Sequence, residues 1–135
     1  MPRILVIDDE VHARAAILIA LEAKGFDVVG VENGALGLRA FESSHFDLVV
    51  VDIYMPGMDG VKIVKALRER SPNLPVIAIS GVLLKSSGRT ALDFLSMAPT
   101  LSNVICLQKP FRSAELLQAI QNAIGVAAEA ATTRK

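Results

Sequence analysis

The chain has 135 residues, enough to bury the core of one domain and too few for a second. Hydrophobic residues make up 52% of it and aromatic ones only 4%, so the core is expected to be Val, Ile, Leu and Ala packed between layers, an α/β design. Lys plus Arg number 14 and Asp plus Glu number 14, a balance that offers no general attraction to nucleic acid or to an anionic membrane, and direct contact with either is not expected.

Ile4 to Ile7 reads as a first strand. Ala13, Ile17, Ala20 and Leu21 then mark one face of a helix that Gly25 can end. A second strand is expected at Val28 to Val31, followed by a shorter, less strongly patterned helix from Gly34 to Phe41. Leu48 to Val51 is the clearest strand, a β-branched run without polar alternation, as parallel strands covered on both faces require. A third helix begins near Asp59 or Gly60, carries Val61, Val64 and Leu67 on one side, and stops before Ser71-Pro72. Val76 to Ile79 and Val104 to Leu107 give two more strands, separated by a helix at Thr90 to Met97. The last helix has Leu116, Leu117, Ile120 and Ile124 at helical spacing, with Ser113 available near its start, and Gly125 to Lys135 is expected to fray or to extend it slightly.

This β-α alternation, five times over, predicts a doubly wound five-stranded parallel sheet with right-handed crossovers and strand order 2-1-3-4-5. In such sheets the functional crevice lies at the carboxyl ends of the strands, beside the switch point between the first and third. There is no repeat, low-complexity stretch or interdomain linker. The single cysteine, Cys106, rules out an intramolecular disulfide, and Met1-Pro2-Arg3 leads into four apolar residues before three acidic ones, which is not a secretory signal. No apolar run approaches the roughly 18 residues of a membrane span, and a cytoplasmic location is expected.

Polar residues follow four of the strands: Asp8-Asp9-Glu10 the first, Asp52 the third, Ser80-Gly81 the fourth and Lys109-Pro110 the fifth. Singly, each has an ordinary reading as a helix-start acid, a turn residue or a solvated lysine. Together they converge on one edge. Carboxylates gathered there repel, and burial raises the cost of their charge unless cations compensate. A divalent metal and Lys109 supply that compensation, and oxygen-only ligands favour Mg²⁺, or Mn²⁺, over a softer ion. His12 and His45 stand apart from any ligand-like spacing and are read as surface or packing residues. An aspartate can also serve as a nucleophile that forms an acyl phosphate, and such a transfer needs neutralisation of the phosphoryl oxygens more than it needs a base.

These residues bring a family into view. The sequence resembles a receiver domain of bacterial two-component response regulators, the CheY-like family with a flavodoxin-like (βα)5 fold, over about residues 3 to 124. The marks are Asp8-Asp9, the run from Asp52 through Tyr54-Met55-Pro56-Gly57-Met58-Asp59 to Gly60, Ser80-Gly81, and Lys109-Pro110-Phe111. The resemblance implies that Asp52 accepts a phosphoryl group from a phosphohistidine on a sensor histidine kinase or a histidine phosphotransfer protein. Asp9, Asp52 and the backbone carbonyl of Tyr54 would ligate the metal, Asp8 would act through water, and Ser80 and Lys109 would bind phosphoryl oxygens. It also implies a cis peptide at Lys109-Pro110. Met55 to Gly60 reads either as the family's loop beside the metal or as an ordinary turn.

Two departures stand out. Receivers often carry Tyr or Phe three residues before the lysine as a switch that works with the Ser80 position, whereas Cys106 stands here, too small for that readout and, as a buried strand thiol, not expected to sense redox state. The stretch from Ser80 to Lys109 is also longer than usual. Within it Val82, Leu83 and Leu84 form either a docking patch or packing under an enlarged loop.

The expected organisation is therefore a receiver domain over 1–124 with a short tail at 125–135 and no output domain. The expected function is a stand-alone response regulator, a phosphoacceptor rather than a turnover enzyme, which signals to an unknown downstream protein by altered binding; a homodimer stays open. A constitutive adaptor is disfavoured by the intact acidic pair, Asp52, Ser80 and Lys109. An aspartate-nucleophile phosphatase is disfavoured by Tyr54, where such enzymes often place a second Asp, and a flavin carrier by acidic residues that would repel its phosphate.

Overall fold

Five short β-branched runs form the centre of the molecule. The computed structural model describes residues 2–55, 58–80 and 104–133, with side chains over 2–53, 60–79 and 104–125. Along the chain the elements are β1 (Arg3–Ile7), α1 (Val11–Ala23), β2 (Asp27–Val31), α2 (Gly34–Ser43), β3 (Leu48–Asp52), β4 (Tyr54–Met55), β5 (Met58–Asp59), α3 (Gly60–Arg70), β6 (Val76–Ser80), β7 (Val104–Gln108) and α4 (Ser113–Thr133). The main sheet runs β2-β1-β3-β6-β7 with every pair parallel, which is the expected order 2-1-3-4-5. The helix expected at Thr90 to Met97 lies outside the described residues.

Side-chain alternation along the strands divides the core in two. Leu5, Ile7, Val49, Val51, Val76 and Ala78 face α2 and α3, meeting Ile63, Val64 and Leu67. Ile4, Val6, Leu48, Val50, Ile77 and Ile79 face α1 and α4, meeting Ile17, Leu21, Leu116 and Ile120. Both faces are covered, so β3 is buried at every residue, which is why its sequence lacks polar alternation.

The helix ends explain where the chain turns. Gly25 has φ 88, and its N–H donates to the Glu22 carbonyl while that of Phe26 donates to the Leu21 carbonyl, the paired bonds of a glycine-stopped helix. At α2 the Asn33 side chain accepts from the Leu36 N–H at 2.8 Å. Ser113 is not the cap of α4 but its first residue. The preceding Arg112 N–H donates to the Glu115 carboxylate at 3.1 Å, half of a capping box. That helix continues through Gly125 to Thr133, well past Ile124, the last apolar residue read into it from the sequence.

Register sets the working edge. Ile7 lies opposite both Val31 and Val51, Asp52 opposite Ile79, and Ser80 opposite Gln108. The carboxyl ends of the central strands are therefore level. Residues just beyond those ends share one rim. Gly60 brings α3 against that rim, because a Cβ there would lie 2.3 Å from the Ile53 Cα.

Candidate functional site

Asp8 comes directly after β1 and Asp52 ends β3, the two neighbours at the switch point. Both carboxylates are withdrawn from solvent, Asp8 to 1% and Asp52 to 5% exposure, while Asp9 is exposed. A carboxylate oxygen from each of Asp8, Asp9 and Asp52 lies within 4.8 Å of the others. Like charges that close are held only by a surrounding frame.

Lys109 arrives from the far side of the sheet, after β7. Its Nζ donates to Asp8 Oδ2 and to Asp52 Oδ2, each at 3.2 Å, and lies 4.0 Å from Glu10 Oε2. Burial alone would lower the pKa of this ammonium. The charges of Asp52 and Asp8 and the hydrogen bonds donated to them outweigh burial and hold it above the ordinary lysine value. The Lys109-Pro110 peptide is cis, as the resemblance implied.

Asp8 is tied at every polar atom. Its N–H donates to the Val31 carbonyl at 3.1 Å, Oδ1 accepts from the Glu10 N–H at 3.0 Å, Oδ2 accepts from Lys109, and its carbonyl accepts from Arg14 Nη1 at 2.8 Å. Glu10 entered the sequence reading only as part of the acidic run, and Arg14 was missed. An arginine six residues after Asp8 reads as an ordinary helix residue until α1 is laid over the sheet.

Three carboxylates facing one ammonium leave the site strongly negative, and every donor is an oxygen, so the residues fit a hard divalent cation. His45 lies at the opposite end of β3, bonded to Asp47 at 3.0 Å, and His12 is an exposed residue of α1. Ser80 ends β6 beside Gln108 and so sits next to Lys109 in the chain order of the rim. Tyr54 opens the small antiparallel ribbon, paired with Asp59. Cys106 lies on β7 opposite Ala78 and packs on the α2–α3 face of the core, where burial pushes its thiol up to about 11. Val82, Leu83 and Leu84 fall outside the described residues.

A doubly wound parallel sheet with two central carboxylates clamped by a lysine that follows an outer strand defines a domain with an acidic site at its switch point. The chain belongs to the response regulator receiver domain family, whose model matches residues 4–121. It is similar to the response regulator receiver protein CpdR of Brucella abortus, 33% identical over 121 residues that cover 90% of this chain and 95% of that protein. It is also similar to the autoinducer 1 sensor kinase/phosphatase LuxN of Vibrio campbellii, 32% identical over 95 residues, covering 70% of this chain but only 11% of LuxN, so the chain spans about a tenth of that relative. Among solved structures, the receiver domain protein of Clostridium thermocellum superposes with a TM-score of 0.80 at 31% identity, covering 93% of this chain and 95% of that one.

The chain is thus a phosphoacceptor-type receiver domain of two-component systems. Domains of this family are signalling modules that take phosphoryl groups from histidine kinases and bind Mg²⁺ through acidic residues. Among the described residues no helix is long and apolar enough to cross a membrane.

Proposed function

We propose that the chain acts as a stand-alone response regulator that accepts a phosphoryl group on Asp52 and signals by altered protein binding. The observation that carries this reading is the placement of Lys109 Nζ at 3.2 Å from the carboxylates of both Asp8 and Asp52. An Asp52 oxygen attacks the phosphorus of a phosphohistidine on a sensor kinase or phosphotransfer protein. The O–P bond forms as the P–N bond breaks, and the electron pair leaves with the imidazole. Asp52 needs no base, since it is already a carboxylate. Lys109 exchanges part of its contact with Asp52 for a phosphoryl oxygen, with Ser80 as a second donor. Asp9, Asp52 and the Tyr54 carbonyl would hold Mg²⁺ or Mn²⁺, with Asp8 acting through water, and such an ion would supply neutralisation of the phosphoryl oxygens.

The surface beside the site supports exchange with a protein donor. Helix α1 has Val11 57% and Ile19 68% exposed, and a cleft of about 430 Å³ opens between Ala16, Ala20, Phe111 and Leu116 with Lys109 at its edge. The near-complete coverage of CpdR supports the stand-alone reading. The test is incubation with a small acyl phosphate and Mg²⁺, followed by intact-mass measurement. One added phosphoryl group that disappears in Asp52→Asn is the expected result; no addition from any phosphodonor overturns the proposal.

A further inference from the structure

We propose that Arg14 is a positioning residue for the acidic site and that its bond to the Asp8 carbonyl sets the affinity for the divalent cation. This rests on the metal-binding reading above. The geometry points to it through the peptide that joins Asp8 to Asp9. Asp8 itself is held by the Val31 carbonyl, the Glu10 N–H and Lys109. Asp9 is exposed, so the direction of its carboxylate depends on how the peptide plane before it is turned. That plane is rigid, and its carbonyl oxygen is the atom Arg14 Nη1 holds at 2.8 Å. Arg14 therefore orients Asp9 without touching it.

The guanidinium is itself held in place. Its stem runs over β2 at Gly30, where an added Cβ would lie 3.3 Å from Arg14 Cδ and 2.8 Å from Leu18 Cδ1. The missing side chain on β2 makes the channel through which Arg14 returns from α1 to the end of β1. A charge-assisted bond from a planar donor fixed by packing holds its acceptor more firmly than water can.

The sign of the effect separates positioning from charge. Arg14 brings a positive charge close to three carboxylates, so through-space electrostatics alone predicts that removing it tightens cation binding. Loss of orientation predicts the opposite, on the order of tenfold weaker binding, as for other groups that orient ligands from outside the coordination shell. Calorimetric titration of the full chain with Mg²⁺ alone is the test, with urea midpoints in EDTA as the control for folding. Arg14→Met keeps the apolar stem and is expected to weaken Mg²⁺ about tenfold; Arg14→Lys keeps the charge and one donor and is expected to lose about threefold. Either variant binding Mg²⁺ as tightly as wild type, or tighter, overturns the proposal. A wild-type chain that fails to bind Mg²⁺ at all overturns the metal-binding reading as well, which is a different result from a variant that matches a binding wild type.

Discussion

Replacing Asp52, the proposed phosphoryl acceptor, by Asn should make the metal-free protein more stable. The three carboxylate oxygens lie within 4.8 Å of one another. At an effective dielectric of about 20, each repulsion at that separation is about 3.5 kcal/mol, so Asp52 carries two of them. Lys109 Nζ at 3.2 Å supplies an attraction worth about 5 kcal/mol on the same scale. Repulsion exceeds attraction by about 2 kcal/mol, and solvent screening of the exposed Asp9 reduces the excess to about 1 kcal/mol. Burial acts in the same direction, because an amide at 5% exposure costs less to desolvate than a carboxylate. The expected gain is about 1–2 kcal/mol, or roughly 3–8 °C in melting temperature for a domain of this size.

The chain has no Trp and one Tyr, so urea unfolding is best followed by far-ultraviolet circular dichroism, first in EDTA and then with Mg²⁺. Ligand binding stabilises the folded state by mass action, and wild type, with its full acidic set, should gain more from Mg²⁺ than Asp52→Asn. The two stability curves are expected to approach or cross as Mg²⁺ rises. A variant less stable than wild type in EDTA would refute the electrostatic reasoning, and so would an equal Mg²⁺ response in both proteins.

Lys109, whose folded pKa is raised, contributes stability that is fully present below the ordinary lysine value of 10.5 and is lost as pH rises through the folded value. The stability gap between wild type and Lys109→Met should therefore narrow above pH 10.5; denaturation midpoints that keep the same gap through that range would contradict the assignment. Gly60→Ala drives a Cβ to 2.3 Å from the Ile53 Cα, a backbone atom that cannot step aside. A loss of about 1–3 kcal/mol is expected in urea unfolding, in place of the gain that Gly→Ala usually brings to a helix. With its thiol pushed up to about 11, Cys106 should be thiolate in only about one molecule in ten thousand at pH 7. Iodoacetamide should then label it slowly in the native protein and readily in urea, and fast native labelling would show that the strand does not shield it.

The parts of this molecule written in local pattern were legible. β-branched runs such as Leu48 to Val51 mark parallel strands to within a residue, because a strand covered on both faces has no position for a polar side chain. Gly25 could be read as a helix stop because a positive φ selects glycine. The convergence of Asp8, Asp52 and Lys109 came from topology, since parallel strands of one sheet deliver the residues at their carboxyl ends to one rim. Contacts that depended on how a helix lies on the sheet were not legible. Arg14 reaches the Asp8 carbonyl only because α1 crosses β1 and β2 at the height where Gly30 leaves space. The two-residue strands β4 and β5 are too short to carry a period, and the bond from the Arg112 N–H to the Glu115 carboxylate, just before α4 begins at Ser113, was not read from the sequence.

The position of the charges also says why the sheet is so apolar. A site that holds three carboxylates against one ammonium favours opening, and the packing of the strands beneath it resists that opening. Ile4, Leu5, Val6 and Ile7 of β1 and Leu48, Val49 and Val51 of β3 are each at 0% exposure, and full burial of such a side chain is worth about 1.5–3 kcal/mol. Together the seven contribute about 10–20 kcal/mol of burial before the entropy of ordering the chain is subtracted, against a repulsion of a few kcal/mol. The repulsion can therefore persist in the folded protein instead of being relieved by local unfolding. It persists at the atoms where a cation and a phosphoryl group would relieve it, so binding energy that would otherwise be spent forming the site is left for the ligand. In this sense the hydrophobic runs of β1 and β3 are part of the site chemistry, and a core substitution such as Val49→Ala should weaken Mg²⁺ binding only when it lets the strand ends move apart.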